Sequence, residues 1–111
     1  MADQNDVVVV GGYSFSVGAS GGYPQGAGHS VNGPQFGLAV DNMLEVEIVT
    51  ADQQILTINS CTNEDLFWAV RGGGGGSWGV ITSITYEAHD KAPNYVGING
   101  GLISADSNAC K

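Results

Sequence analysis

Positively charged side chains are scarce in this sequence. Lys and Arg together number 3, against 11 Asp and Glu, and the formal net charge is −8. A nucleic-acid surface needs clustered cations to displace the counterions of phosphates, and an anionic membrane surface attracts basic segments. We therefore expect neither a nucleic acid nor a membrane as a partner.

Cysteines and long apolar runs are also few. The two cysteines, Cys61 and Cys110, provide no disulfide framework, although one bridge between them stays open as an alternative. With no Cys-x-x-Cys and no His-rich spacing, we expect no metal site. No apolar run approaches the ~20 residues that span a bilayer. The acidic first six residues lack the basic region of a secretory signal, so we expect no signal there.

Glycine is abundant instead, with 18 residues, most of which lie in two clusters. The first glycine segment, residues 11–37, holds nine glycines and shows no helical or strand period; the second, residues 72–79, begins with five glycines in a row. Long structureless segments are usually functional, and backbone N–H groups left uncovered by glycine can converge on an anion. The alternative is that both segments are connectors that bind nothing.

Alternating apolar residues predict a mainly antiparallel sheet. Residues 7–10 are four valines and predict a buried strand, while residues 44–50 and 55–58 predict a β-hairpin. Residues 78–88 predict a further long strand. The expected buried faces are Leu44, Val46 and Ile48 on the first hairpin strand, and Val80, Thr82, Ile84 and Tyr86 on the last strand.

One short helix is predicted between Thr62 and Arg71. Thr62 or Asn63 would cap its start, and Gly72 would stop it. Its expected buried face is Leu66, Phe67, Ala69 and Val70. Phe67 and Trp68 are expected in the core or at a domain interface. Trp78 is expected in the core, or alternatively against a ligand. The predicted fold class is thus α+β, with a mainly antiparallel sheet and a short helix.

Common phosphate and nucleophile motifs do not match. Residues 26–31 lack the third glycine of a dinucleotide fingerprint, no Gly-Lys-Ser/Thr occurs, and no serine lies in a Gly-x-Ser-x-Gly elbow, so no catalytic residue is assigned. His29 would bond a cofactor or carry a proton, or be a loop histidine bonded to backbone. Asp41 would accept a sugar or flavin hydrogen bond, or cap a turn. His89 is expected to be a solvated residue at a strand end.

Three stretches, in order and at family spacing, resemble the second part of the FAD-binding domain of the vanillyl-alcohol oxidase and p-cresol methylhydroxylase superfamily. The nearest branch is the berberine-bridge-enzyme-like oxidoreductases. The stretches are residues 17–30 (VGASGGYPQGAGHS), 36–52 (FGLAVDNMLEVEIVTAD) and 63–82 (NEDLFWAVRGGGGGSWGVIT).

The resemblance implies FAD as cofactor and a set of residues that would contact it. Gly18, Gly22, Gly28 and His29 would line the flavin and pyrophosphate. Leu38 and Asp41 would lie near the flavin or ribityl chain, and Val80 would offer backbone contacts to the adenine.

The sequence departs from the family pattern at three positions. Ser14 stands where many members carry a cysteine that makes a second covalent flavin bond, so that bond is not expected. Residues 26–29 are Gly-Ala-Gly-His in place of Gly-Gly-Gly-His, which puts the methyl of Ala27 where backbone would approach closely. The turn that usually carries Asp-Gly has Asp52-Gln53.

The family's first FAD subdomain and its substrate domain have no counterpart in the 111 residues. We therefore interpret residues 1–90 as the C-terminal portion of an FAD-binding domain, and residues 91–111 as a truncated tail or the start of the substrate domain. The resemblance implies a flavin oxidoreductase that oxidises an alcohol, sugar or alkaloid-like small molecule with dioxygen, and this chain alone is expected to be inactive. The alternatives are a truncated, non-catalytic remnant that retains no flavin, and an unrelated glycine-rich β domain that binds a partner.

Overall fold

The structure is a computed structural model that describes residues 3–91, and all structural statements concern these residues. The predicted tail beyond Lys91 lies outside the described residues, and so does Cys110, the possible disulfide partner of Cys61. Cys61 is exposed and free.

The strands are β1 (Val7–Val8), β2 (Met43–Val49), β3 (Ile55–Asn59), β4 (Val80–Tyr86) and β5 (His89–Asp90). The α-helices are α1 (Gly22–Gln25), α2 (Gly33–Phe36) and α3 (Glu64–Val70), and 3-10 turns cover Asp3–Asn5 and Ala39–Asn42.

Two antiparallel sheets confirm the α+β prediction. The larger has three strands in the order β3-β2-β4, and the predicted hairpin is its β2–β3 pair, with Val46 opposite Ile58. The smaller pairs β1 with β5, so that Val8 lies opposite His89. These two short strands come from opposite ends of the described chain, so their pairing brings the two ends together.

The core lies between the larger sheet and α3. Its fully buried members come from β2, β3 and α3: Met43, Val46, Ile48, Ile58, Phe67 and Val70. A helix of seven residues is not stable alone, so α3 is stabilised by the packing of its apolar side chains against the sheet. None of the helices in the described part of the chain is long and apolar enough to cross a membrane.

Two register shifts correct the predicted strand faces. Between Met43 and Glu45 of β2 the extra residue is Leu44, which is 49% exposed while Met43 is buried. On β4 the extra residue is Thr82, because Glu47 pairs with Ser83 whereas the next residue of β2 pairs with Ile81. An extra residue on one strand turns the following side chains to the other face.

The face of β4 that packs on the core is consequently a different set from the predicted one. Ile81, Ile84 and Tyr86 pack against the core, whereas Val80 and Thr82 are exposed. The prediction was correct for Ile84 and Tyr86, which follow the bulge, and wrong for the two residues at and before it.

Three further local predictions need correction. The valine strand covers Val7–Val8 alone; Val9 is exposed and Val10 is buried outside it. The first glycine segment is not structureless, because it contains α1 and α2. Trp78 is 48% exposed and is not a core residue of this unit. Trp68 is 79% exposed, so of its two predicted places the core is wrong and a domain interface stays a prediction.

Helix α3 begins and ends where predicted, but its start is not capped by a side chain. Asn63 occupies the N-cap position with a left-handed φ of 51°. Its amide Nδ2 instead donates to the carbonyl of Thr57, at 3.0 Å. Asn63 therefore joins the start of α3 to β3 and does not cap the helix as predicted. Gly72, just beyond the helix, has a φ of +118° as a helix stop favours.

Candidate functional site

The two glycine segments meet in the folded chain. The Gly74 N–H donates to the Gln25 carbonyl at 3.2 Å, and a Cβ added to Gly75 would lie 2.8 Å from the Cα of Gly22. Gln25 is buried and anchors its own segment by donating to the Gly21 carbonyl, at 3.0 Å. The close approach therefore requires that residue 75 has no side chain.

An open cleft of about 350 Å³ lies where the segments meet. We call it the glycine cleft; its lining is Ser20, Gly21, Gly22 and Gln25 from the first segment, and Gly75, Gly76, Gly79, Val80 and Ile81 from the second and from β4. A second hollow of about 360 Å³ between β2 and β4 shares Gly76, Gly79 and Val80 with it. The two hollows thus adjoin along the second glycine segment.

The amides of the cleft are available for a ligand. The N–H groups of Gly21, Gly75 and Gly76 donate to no group within residues 3–91. No Lys or Arg lines the cleft. Arg71 is engaged elsewhere, since its Nε donates to the Val40 carbonyl at 3.1 Å and its guanidinium lies 5.2 Å from the centre of the Phe67 ring. An anion in this cleft would therefore be stabilised by main-chain N–H groups.

The glycines of the cleft divide into two kinds. Gly75 and Gly79 are required by packing, since a Cβ at Gly79 would lie 2.4 Å from the Val49 carbonyl oxygen. By contrast, a Cβ at Gly21 or Gly22 would meet no atom within 4 Å, and neither residue has a positive φ. Nothing in the described fold requires glycine at these two positions.

The structure brings two of the seven predicted cofactor residues into the glycine cleft. Gly22 and Val80 line it. Gly18 is exposed with open space around its Cα. Gly28 is buried with a φ of +76°, and a Cβ there would lie 2.5 Å from the Cβ of Ala39. Its lack of a side chain is thus explained by folding.

His29 is exposed, and its ring stacks on Tyr13 with the ring centres 5.7 Å apart. Its backbone carbonyl accepts a hydrogen bond from the Tyr23 hydroxyl at 2.9 Å. The backbone contact holds the residue in place, while its ring nitrogens bond to nothing within residues 3–91. The imidazole is therefore available to an incoming group.

Leu38 and Asp41 form one turn. The Asp41 carboxylate accepts the Leu38 N–H at 3.0 Å, so Asp41 caps the 3-10 turn Ala39–Asn42. Of the two roles considered from the sequence, the cap is the one that this contact fulfils. Leu38 is 36% exposed.

Tyr86 is a contact residue that the sequence did not reveal as such. Its hydroxyl donates to the Ala19 carbonyl at 2.6 Å and so joins β4 to the first glycine segment. Burial, and to a smaller degree the nearby Tyr23, raises the pKa of Tyr86 to about 12. Because the bonding partner is 67 positions away in sequence, no local pattern identifies it.

His89 also differs from its prediction. It ends up half-buried in β5, with its ring stacked on Phe36 at a centre-to-centre distance of 4.0 Å and an interplanar angle of 4°. Its Nε2 lies 2.6 Å from the Oδ1 of Asn42. The expectation of a solvated residue was therefore wrong, because β5 pairs with β1 and carries the histidine against the first glycine segment.

The described residues thus form an α+β unit in which two glycine segments meet at a cleft with free amides and no lining Lys or Arg. No protein-family model matches the chain. It is 53% identical over 109 residues to the FAD-linked oxidoreductase ZEB1 of Gibberella zeae, a match over 97% of this chain and 19% of that protein.

Solved structures show the same likeness. The VAO-type flavoprotein MtVAO615 from Myceliophthora thermophila C1 has a TM-score of 0.79 and 46% identity, over 81% of this chain and 16% of that one. BBE-like 1 of Physcomitrella patens has a TM-score of 0.72 and 38% identity, over 77% and 18% of the two chains. Most of the chain thus matches one part of FAD-linked oxidoreductases of the VAO type and of berberine-bridge-enzyme-like structures. It spans about a fifth of the length of the relatives that it matches.

FAD is the cofactor of this family, and the described residues fit a part of it. The glycine cleft is at the small end of the range of ligand sites, about 300–1,000 Å³. Its uncovered amides at Gly21, Gly75 and Gly76 match the acceptors of a diphosphate, and the adjoining hollow extends the surface along β4.

Proposed function

We propose that this chain provides a glycine wall of the FAD site in a flavin oxidoreductase that oxidises an alcohol, sugar or alkaloid-like substrate with dioxygen as acceptor. The observation that carries the proposal is the meeting of the two glycine segments around one cleft with unpartnered amides. The resemblance supports the substrate class and the acceptor.

When bound, the flavin would supply hydride acceptance from the substrate and reoxidation by dioxygen. The residues of this chain bind and orient. Main-chain N–H groups at Gly21, Gly75 and Gly76 would hold the phosphates, and the free imidazole of His29 would donate to the cofactor. Val80, at the start of β4, would present backbone to the adenine side.

The second candidate is a truncated, non-catalytic remnant that retains no flavin. The small fraction of each relative that the chain spans favours this candidate for the isolated polypeptide. We accordingly expect the purified 111-residue chain to bind FAD weakly and to lose it during gel filtration. Yellow protein that keeps FAD through the column would contradict that expectation.

A titration with FAD, followed by amide NMR shifts of the chain, tests the cleft directly. We expect the largest shifts at Gly21, Gly22, Gly75 and Gly76. Gly22→Ala places a methyl in open space, so it should leave the melting temperature nearly unchanged while weakening FAD binding. Gly33→Ala is the matched control, because a Cβ there also meets nothing and Gly33 does not line the cleft. Equal FAD affinity in both variants would refute the cleft as the site.

The ionic-strength dependence of FAD binding separates an amide site from a cationic one. The net charge of −8 repels the phosphates at long range, and salt screens that repulsion. FAD binding should therefore strengthen or stay constant as salt rises. Binding that weakens steeply with salt would show that cations hold the phosphates and would contradict the proposal. His29→Ala in the 111-residue chain should weaken FAD binding, and unchanged binding would remove His29 from the site.

A further inference from the structure

Asn42 is the polar centre of the contact between the first glycine segment and the end of β4. It is 2% exposed, and its Nδ2 donates to the carbonyls of Phe36 and Leu38 at 2.9 and 2.8 Å. Carbonyl oxygens only accept, so these two bonds use both amide hydrogens and fix the orientation of the side chain. Its Oδ1 must then face away from them, toward β5.

His89 meets that oxygen. Its Nε2 is 2.6 Å from Asn42 Oδ1, which can only accept, so Nε2 carries a hydrogen. Stacking of the ring on Phe36 holds the imidazole plane, and the Glu87 N–H donates to the Asn42 carbonyl at 2.9 Å. Backbone, ring and side chain thus all connect the β4–β5 region to residues 36–42.

The turn held in this way also holds part of the first glycine segment. The N–H groups of Ala39 and Val40 donate to the carbonyls of Gly28 and Ala27, at 2.9 and 3.0 Å. Asn42, by bonding the Phe36 and Leu38 carbonyls, fixes the start of the same turn. A change at His89 can therefore reach the Ala27–His29 segment.

We propose that His89, locked with its hydrogen on Nε2, and Asn42 are positioning residues that set the 36–42 turn and the Ala27–His29 segment for cofactor binding. The proposal rests on the proposed function for its cofactor, but the positioning itself is a property of this chain. His89 is joined to the candidate cofactor residues through Asn42 and is not expected to touch FAD.

Two substitutions separate the ring from the donor. His89→Phe keeps a flat ring for Phe36 but has no hydrogen for Asn42, whose oxygen then stays buried without a partner. His89→Gln supplies an amide donor near the position of Nε2 and lacks the ring. If the donor is what positions the turn, Gln should restore what Phe loses.

Amide hydrogen exchange in the 111-residue chain is the test. In His89→Phe we expect exchange at Ala39 and Val40 to accelerate about tenfold, with exchange at Val46 and Ile58 of the hairpin unchanged. His89→Gln should return the two turn amides toward the original rate. Nitrogen shifts of the imidazole should also show the hydrogen on Nε2 in the unsubstituted chain.

Uniform acceleration at the turn and hairpin amides would show a general stability effect and overturn the proposal, as would unchanged turn amides or a ring that carries its hydrogen on Nδ1 alone. FAD titration of the same variants adds the cofactor readout, with weaker shifts of the cleft amides expected for His89→Phe than for His89→Gln. Absence of any FAD-induced shift in the unsubstituted chain would instead count against the proposed function, so the two failures are distinguishable.

Discussion

Ala27 adopts a backbone conformation that favours glycine. Its φ is +84°, and the carbonyls of Ala27 and Gly28 are both held by bonds from the 36–42 turn. For an L-residue this region costs about 1–2 kcal/mol. Glycine adopts this region without that cost, so Ala27→Gly should relieve the strain without altering the hydrogen bonds.

The magnitude follows from comparison with a second Ala→Gly change. Ala51 is exposed, lies in the β2–β3 turn and has no positive φ. Both substitutions remove one methyl and both add about 0.4–1 kcal/mol of unfolded-chain entropy. Their difference therefore isolates the backbone cost at Ala27, and Ala27→Gly should be about 1 kcal/mol more stable than Ala51→Gly.

Thermal and urea unfolding, followed by circular dichroism, measure the difference. For a domain of this size 1 kcal/mol corresponds to about 4–8 °C in melting temperature. An Ala27→Gly chain that unfolds at or below the temperature of Ala51→Gly would refute the reasoning, because the positive φ would then carry no cost. The half-buried methyl of Ala27 works against the gain, so agreement would show that backbone strain outweighs the lost contact.

Three further predictions use the same unfolding assays. Gly28→Ala should lower the free energy of unfolding by about 3 kcal/mol, since its Cβ would overlap Ala39 and its φ is positive. Gly18→Ala should change that free energy by less than about 0.5 kcal/mol, and similar losses in the two variants would contradict the packing role of Gly28. Gln53→Gly, at a φ of +65°, should be about 1 kcal/mol more stable than Gln54→Gly, and the reverse order would contradict strain in that turn. Tyr86→Phe should lose about 1 kcal/mol with the bond to Ala19, as judged by urea unfolding. The pKa of Tyr86 is raised from 10.0 in the unfolded chain to about 12 when folded, so its stabilisation is complete below pH 10 and declines as pH rises to 12; Tyr86→Phe should show a shallower decline, and an identical one would refute the assignment.

The hairpin was predictable because its signal is local. Val46, Ile48 and Ile58 alternate with polar residues, and a four-residue turn separates the two runs, which suits antiparallel pairing. The faces at Leu44 and Thr82 were not predictable, because a bulge is decided by how two strands fit each other. Both errors arise at the places where one strand carries a residue without an opposite partner.

The exposed tryptophans illustrate a second limit. Trp68 belongs to an apolar helix pattern and Trp78 precedes a strand, so their size and position both favour burial in a sequence-based argument. In the structure they line an open hollow of about 520 Å³ with Asp65, Leu66 and Ala69. A one-dimensional pattern gives the helix face, but the angle at which α3 sits on β3 decides which apolar residues remain uncovered.

The candidate site was predictable in composition and not in arrangement. Nine glycines in the first segment indicate that backbone is exposed, but they do not say which glycines serve folding. The structure separates Gly28 and Gly75, where a methyl would overlap other atoms, from Gly22, where it would not. The same residue type therefore has two physical explanations within one loop, and only tertiary contacts distinguish them.

This separation determines what counts as support for a cofactor site. Gly75 would be glycine whether or not a ligand binds, because it lies against the Cα of Gly22. Gly22 has no such reason within residues 3–91, since it has open space beside it and an ordinary φ. An alanine at that position would cost the fold little, so a loss of FAD binding in Gly22→Ala could arise only from the space that the methyl occupies. That space is the part of the glycine cleft in which the proposed cofactor would lie.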